Sequence, residues 1–458
     1  MKIWSLDRHW RALAGAALTF VANVAVAQTQ PAYRLITLDP GHFHASLVQK
    51  FMSPDIDSVV HVYAPAGDDL AQHLARIAAF NTRADQPTHW KEVVYSGPDY
   101  FQKMLAQRAG NIVVIAGNNA QKTDDIARAI DAGLNVFGDK PMVVTPKDLG
   151  KLRQAFRNAE SKKVLLYDIM TERNEITNTL QRELSMSTAL FGALQKGTPD
   201  DPAIRMESVH FLSKVVAGIP LRRPQWFFDV RQEGEGLQDV GTHLVDLVQW
   251  EAFPNRTLRE SDVVVSSSRR WPTPITPSQF KLVTGAEHYP SYLAADVKDG
   301  VLQYYCNGEM SYRIRGVHAR VAATWDFAAP PGSGDTHHSV FRGTKATLEI
   351  RQGAALKNKP TLYITRAPSV SDTAFTSAVN AEMASLQSRY PGVATRRDRD
   401  AFVVTVPARY DVGHEAHFGQ VTAQLLDALK VGKLPEWEVP NMLVKYATLM
   451  RAYALSHK

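Results

Sequence analysis

Short apolar runs and amphipathic segments alternate from residue 33 into the 160s, and this alternation constrains the fold more than any other feature of the chain. The runs with strand character read YRLITL, SVVHVYA, EVVY, NIVVIAG, NVFG and KVLLYDI. Between them stand HASLVQKFM, DDLAQHLARIAAFN, PDYFQKMLAQR, KTDDIARAIDAG and PKDLGKLRQAFRNAES, whose apolar residues recur at helical spacing. Strands joined through helices pair in parallel, and a parallel sheet is buried on both faces. The rhythm predicts a parallel sheet with helices on both sides. Ligands of such sheets sit beyond the carboxyl ends of the strands.

The pattern changes after residue 175. A helix fits 174–196, and LAADVKDGVLQYYCNG, HARVAATWDF and KATLEIRQG alternate like antiparallel strands. FAAPPGSGDTHH reads as a loop, and the last segment is helical. The fold class is α/β: a Rossmann-type parallel-sheet domain, 28–170, then an α+β domain with a mostly antiparallel sheet and C-terminal helices, 171–458. A chain of 458 residues has ample core for both.

Residues 1–27 stand apart. Lys2, Arg8 and Arg11 precede the apolar stretch ALAGAALTFVANVAVA, and AVA before Gln28 is a small-residue cleavage site. This is the pattern of a secretory signal peptide, and it places the mature chain in the periplasm or outside the cell, without a membrane anchor. The net charge of +6 is spread along the chain, with no basic run of a nucleic-acid binder. The single cysteine, Cys306, rules out an internal disulfide and reads as a small buried residue.

Two stretches carry chemistry. VFGDKPMVVT puts Lys140 directly after an apolar strand. At a strand's carboxyl end an ammonium group can donate to a substrate oxygen and stabilise developing alkoxide charge. In GEGLQDVGTHLVDLVQW, Asp239, His243 and Asp246 follow one another at four and three residues, and on a helix that spacing places them on one side. A histidine beside carboxylates is suited to proton transfer.

These stretches resemble the Gfo/Idh/MocA oxidoreductases. Asn119 matches the family's turn asparagine, Ala132–Gly133 its helix end, and Asp139-Lys140-Pro141 its Glu-Lys-Pro with a shortened acid. Gly234, Gly236, Asp239, His243 and Asp246 follow its second signature, from which Glu235 departs. The resemblance implies catalysis by Lys140, Asp239 and His243, and NAD or NADP bound by the turn Gly41-His42-Phe43-His44 with Asn119, Asp139, Lys140 and Pro141. It implies substrate contacts from Arg173 and Asp246, and a homo-oligomer. Trp226 is an aromatic candidate for stacking on a sugar ring.

The first βα turn departs from the pattern. A dinucleotide fold wants Gly-x-Gly-x-x-Gly there, and LDPGHFHASL offers only Gly41. His42 and His44 are then expected to donate to phosphate oxygens. With Asp39 they raise a metal reading, but no further ligand stands at a telling spacing, and no metal is expected. The expected activity is NAD(P)-dependent oxidation of a sugar, polyol or glycoside CH–OH group. Export favours a tightly held cofactor recycled within each cycle. The alternatives are a cofactor-independent carbohydrate-binding protein, and glycoside cleavage through transient oxidation.

Overall fold

The computed structural model describes residues 32–216, 219–330 and 333–458. The expected signal peptide lies outside them. Six strands form the first sheet: β1 (Leu35–Leu38), β2 (Val59–Ala64), β3 (Lys91–Ser96), β4 (Ile112–Ile115), β5 (Asn135–Gly138) and β6 (Leu166–Asp168). Their order is β3-β2-β1-β4-β5-β6, with every pair parallel. The direction of winding reverses between β1 and β4, so the ligand crevice opens there. β1 and β4 have no exposed residue. Helices α1 (His44–Leu47), α2 (Asp68–Thr82), α3 (Tyr100–Gln107), α4 (Lys122–Asp131) and α5 (Leu149–Lys162) connect the strands. α4 buries Ile126, Ala129 and Ile130, one stripe at helical spacing. It stops at Gly133, whose φ of 77° a side chain would disfavour.

The expected first helix is cut to four residues. The Gln49 carbonyl accepts from the Trp90 indole at 2.6 Å, and Gln49 and Lys50 donate three residues back, so the helical ladder ends in turns. The helix expected over 174–196 is α6 (Ile176–Ser185), started by the Glu175 carboxylate, which accepts from the Thr177 and Asn178 amides.

The second sheet has ten strands. β7 (Ile204–Ser213) is followed by a small ribbon, β8 (Val215–Val216) and β9 (Ile219–Pro220). Then come β10 (Val263–Ile275), β11 (Val297–Lys298), β12 (Val301–Ile314), β13 (Val317–Ala328), β14 (Thr336–Arg342), β15 (Ala346–Arg351), β16 (Thr361–Arg366), β17 (Ala394–Asp398) and β18 (Ala401–Thr405). The order is β10-β12-β13-β7-β14-β15-β16-β18-β17, with β11 beside β12. Among the described residues of this sheet, only β7 and β13 pair in parallel. His337 and His338, read as loop residues, belong to β14, which pairs with β7 and β15.

The remaining helices are α7 (Gly236–Asp239), α8 (Gly241–Ala252), α9 (Pro277–Thr284), α10 (Asp372–Leu386), α11 (His414–Val431) and α12 (Glu438–Ser456). α8 packs on α6 and α12. One continuous apolar core runs through both sheets, from Leu35 and Val113 to Leu348 and Leu449. A second cluster holds Phe227, Phe228, Phe280, Tyr304 and Trp325. No helix among the described residues is long and apolar enough to cross a membrane.

Candidate active site

β5 delivers Asp139 and Lys140 to the carboxyl edge of the first sheet. The Asp139 amide donates to the Ile115 carbonyl at the end of β4 (2.8 Å), so the chain after the strand stays in register with the sheet. Lys140 is buried, and its ammonium is ion-paired with Asp239. Asp239 closes α7, whose first residue, Gly236, lies against β12: a Cβ there would meet the Cys306 carbonyl oxygen at 2.1 Å. α8 follows at once and carries His243. Lys140, Asp239 and His243 all line a cavity of 880 Å³ between the carboxyl edge of the first sheet and the second sheet.

Burial acts differently on the three groups. It depresses the Lys140 pKa, but Asp239 and Asp139 more than offset this and hold it above the ordinary lysine value. Burial raises the Asp239 carboxyl, and Lys140 pulls it below its ordinary value. For His243 burial dominates over Glu172 and brings the pKa down to about 4. The site thus pairs a charged ammonium donor with a neutral imidazole. The Nδ1 atom of His243 is buried without a hydrogen-bond partner.

The rest of the wall is rich in groups that sequence reasoning missed, Glu172, His210, His414, His417 and Trp325, and it includes His337, which the sequence offered only as one of a histidine pair in a loop able to reach the substrate. His414 Nδ1 stands 3.2 Å from Glu172, and His210 Nδ1 3.2 Å from Asp335. Seven of the chain's 15 histidines line this one cavity, so histidine placement was the available signal, but the residues come from both sheets, α8 and α11. The strand-rich stretch 353–415 extends the second sheet and returns to the cavity through Tyr410–Glu415.

The other expected site residues lie elsewhere. Arg173 and Asp246 do not line the cavity. Arg173 clasps Asp246 through two bonds (2.6 and 2.7 Å) and also holds Glu438 (2.9 Å). Lys445 bridges Asp246 (2.9 Å) and Asp168 (2.6 Å), and all five groups are buried. This network ties β6, α8 and α12 together. His243 and Asp246 share a helix side by spacing, yet α8 is buried on almost every face, and Asp246 meets α12 instead. Asn119 is buried, its amide group donating to the Glu233 carbonyl at 2.7 Å. Trp226 stands over Gly41 and donates to Asp69 at 2.8 Å, outside the large cavity.

The turn after β1 also differs from expectation. The Nδ1 atoms of His42 and His44 lie 3.0 Å from one Asp139 oxygen, so these edges meet a carboxylate rather than a phosphate position. A Cβ on Gly41 would meet Trp226 at 2.9 Å. Around this neck stand Asp69 with Arg76, Arg222 and Arg223; none of the three arginines forms a direct ion pair among the described residues, Arg76 donating to Gln72 (3.2 Å), Arg222 to the Thr284 carbonyl (2.9 Å) and Arg223 to the Leu212 and Phe211 carbonyls (2.7 and 3.0 Å). Beyond the neck, at the ends of β1 and β2, is a second cavity of 430 Å³ lined by Asp39, Pro65–Leu70 and Tyr292. Three guanidiniums thus stand between the two cavities, at the mouth of the crevice.

Residues 42–167 match the model "Oxidoreductase family, NAD-binding Rossmann fold", and residues 180–457 match "Putative oxidoreductase C terminal domain". The crystal structure of "a putative oxidoreductase from Parabacteroides merdae ATCC 43184" is 50% identical, with a TM-score of 0.91, covering 94% of this chain and 98% of that one. Levoglucosan dehydrogenase, solved with NADH and levoglucosan, is 14% identical with a TM-score of 0.57, covering 92% and 96%. The WlbA dehydrogenase from Bordetella pertussis, solved with NADH and UDP-GlcNAcA, is 15% identical with a TM-score of 0.52, covering 94% and 96%. No curated protein matches the chain. The chain belongs to the Gfo/Idh/MocA oxidoreductase family and carries its NAD-binding Rossmann domain.

Proposed function

We propose that this oxidoreductase acts on a CH–OH group of a sugar, polyol or glycoside, and that it retains NAD or NADP through its catalytic cycle. The observation that carries this reading is the convergence of Lys140, Asp239 and His243 on one cavity wall, with the lysine charged and the histidine neutral. A nicotinamide supplies the hydride acceptor or donor. Arg76, Arg222 and Arg223 would hold its diphosphate, and Lys140 its nicotinamide end.

The chain's own groups perform the rest. His243 accepts the proton of the substrate hydroxyl. Lys140 donates a hydrogen bond to the same oxygen and neutralises the charge that grows on it. Asp239 keeps that lysine protonated. The surrounding imidazoles and Glu172 offer donors and acceptors to neighbouring hydroxyls, and Trp325 offers an apolar face to a sugar ring. A cavity of 880 Å³ has room for a nicotinamide and a sugar-sized substrate side by side. The two sugar-nucleotide and anhydrosugar dehydrogenases above support the carbohydrate class by fold alone. The signal-like residues 1–27 support export, where a released cofactor would be lost.

The test is to denature purified mature protein and assay the supernatant for nicotinamide nucleotides by mass spectrometry. Near-stoichiometric NAD or NADP supports retention. Trp226 seated over Gly41 favours the second reading, a cofactor-independent carbohydrate binder. No retained nucleotide and no binding of added NAD or NADP would overturn the cofactor-dependent reading, and sugar binding by that protein in calorimetry would then support the second.

A further inference from the structure

We propose that His42, His44 and Asp139 form a binding site for a divalent first-row transition metal at the wall of the large cavity. His42 lies in the turn after β1, His44 opens α1, and the aspartate directly follows β5, so no local spacing announces the site. The fold brings them together because both turns are anchored to the end of β4. The His42 amide donates to the Ala116 carbonyl (2.9 Å), and the Asp139 amide to the Ile115 carbonyl (2.8 Å).

One ligand atom from each of the three residues lies within 4.8 Å of the others. Both Nδ1 atoms are 3.0 Å from the same Asp139 oxygen. Donors on one metal at about 2.1 Å stand about 3.0 Å apart at right angles and about 3.4 Å apart in a tetrahedron, so small shifts of these side chains would admit an ion between them. Two imidazoles and one carboxylate suit zinc, iron or manganese, and a three-ligand protein site leaves positions for water or a substrate oxygen. His42 and His44 line the cavity that holds Lys140 and His243, so those positions are open to the same ligand.

The surroundings hold the ligands in place. The Lys140 amide donates to Asp139 Oδ1 (3.0 Å), and Lys122 donates to the Asp139 carbonyl (3.1 Å). The His44 ring packs against Phe418, with centroids 4.6 Å apart. Such supports orient ligands and raise metal affinity. The bland arrangement is a carboxylate that orients two neutral imidazoles by hydrogen bonds alone. The two differ in what they bind.

The test uses the full mature chain, stripped with a chelator and titrated with Zn²⁺ alone and with Co²⁺ alone, followed by calorimetry and by the visible absorption of cobalt. One equivalent bound at micromolar Kd or tighter, with a d–d band, is expected. His44→Ala should weaken Zn²⁺ binding about a hundredfold or more. His42→Gln, at the least buried ligand, should weaken it with the thermal transition of the stripped protein kept, which separates loss of a ligand from loss of the fold. Absence of a bound equivalent below 100 µM Zn²⁺, or binding that both variants leave unchanged, would overturn the site. The readout needs no nicotinamide, so it stands or fails separately from the cofactor assay.

Discussion

Replacing Asp239 by Asn should turn Lys140 from a locked ammonium into a reactive amine. Burial favours the neutral amine, and only the neighbouring carboxylates reverse that preference. Asp239 is the largest of them. A charge pair at about 4 Å and an effective dielectric of about 20 is worth about 4 kcal/mol, or nearly three powers of ten in the free-amine fraction. Asp139 remains and softens the change, so we expect about a hundredfold. Only the free amine is acylated. Trace labelling with acetic anhydride, read peptide by peptide against exposed lysines of the same molecule, therefore measures the fraction without any substrate. Wild-type Lys140 should label far more slowly than those lysines at pH 8, and in Asp239→Asn it should label about a hundredfold faster than in wild type. A rate within threefold of wild type, in a variant with unchanged circular dichroism, would show that Asp239 does not hold the charge on Lys140. The electrostatic account of the site would then be wrong.

His243→Gln should lower kcat about a hundredfold or more with KM changed little, because the imidazole acts on the proton in transit rather than on binding. Burial puts the His243 pKa at about 4; the base is neutral above that value and protonated below it, so kcat/KM should hold from neutrality down toward pH 4 and fall tenfold per unit below. Arg173→Met should destabilise the chain by about 3–5 kcal/mol, because it strands buried carboxylates. Adding Glu438→Gln should recover part of that loss in a double-mutant cycle by urea denaturation, whereas strictly additive losses would count against the network. Gly236→Ala should lower the melting temperature by several degrees, since its Cβ would stand 2.1 Å from the Cys306 carbonyl oxygen in a packed strand. Trp226→Ala should widen the neck between the two cavities and tighten NAD binding in a fluorescence titration; weaker binding would make the indole a cofactor contact.

What could be read from the sequence was what neighbouring residues fix together. IVVI and LITL announce strands because both faces of a parallel sheet are buried, and every residue of these strands is buried. Asp139-Lys140 and Asp239-x-x-x-His243 were legible for a similar reason. Each lies in one short segment at an element's end, and strand ends in such folds face the crevice. Asp246 shows where local reasoning stops. Its helix spacing from His243 is as expected, but spacing fixes only the angle around the axis, and α8 is enclosed on nearly all sides. Which face meets the cavity depends on α12, some two hundred residues later, and Lys445 there claims Asp246. Arg173 is held through Glu438, 265 residues away, and His42 meets Asp139 across 97. Contacts of that span leave no period or motif in the chain. The turn after β1 makes the consequence plain. Taken as a damaged glycine motif, LDPGHFHASL argues only for weaker nucleotide binding. With Asp139 brought to it by β5, the same ten residues offer a second chemistry that their own order could not reveal.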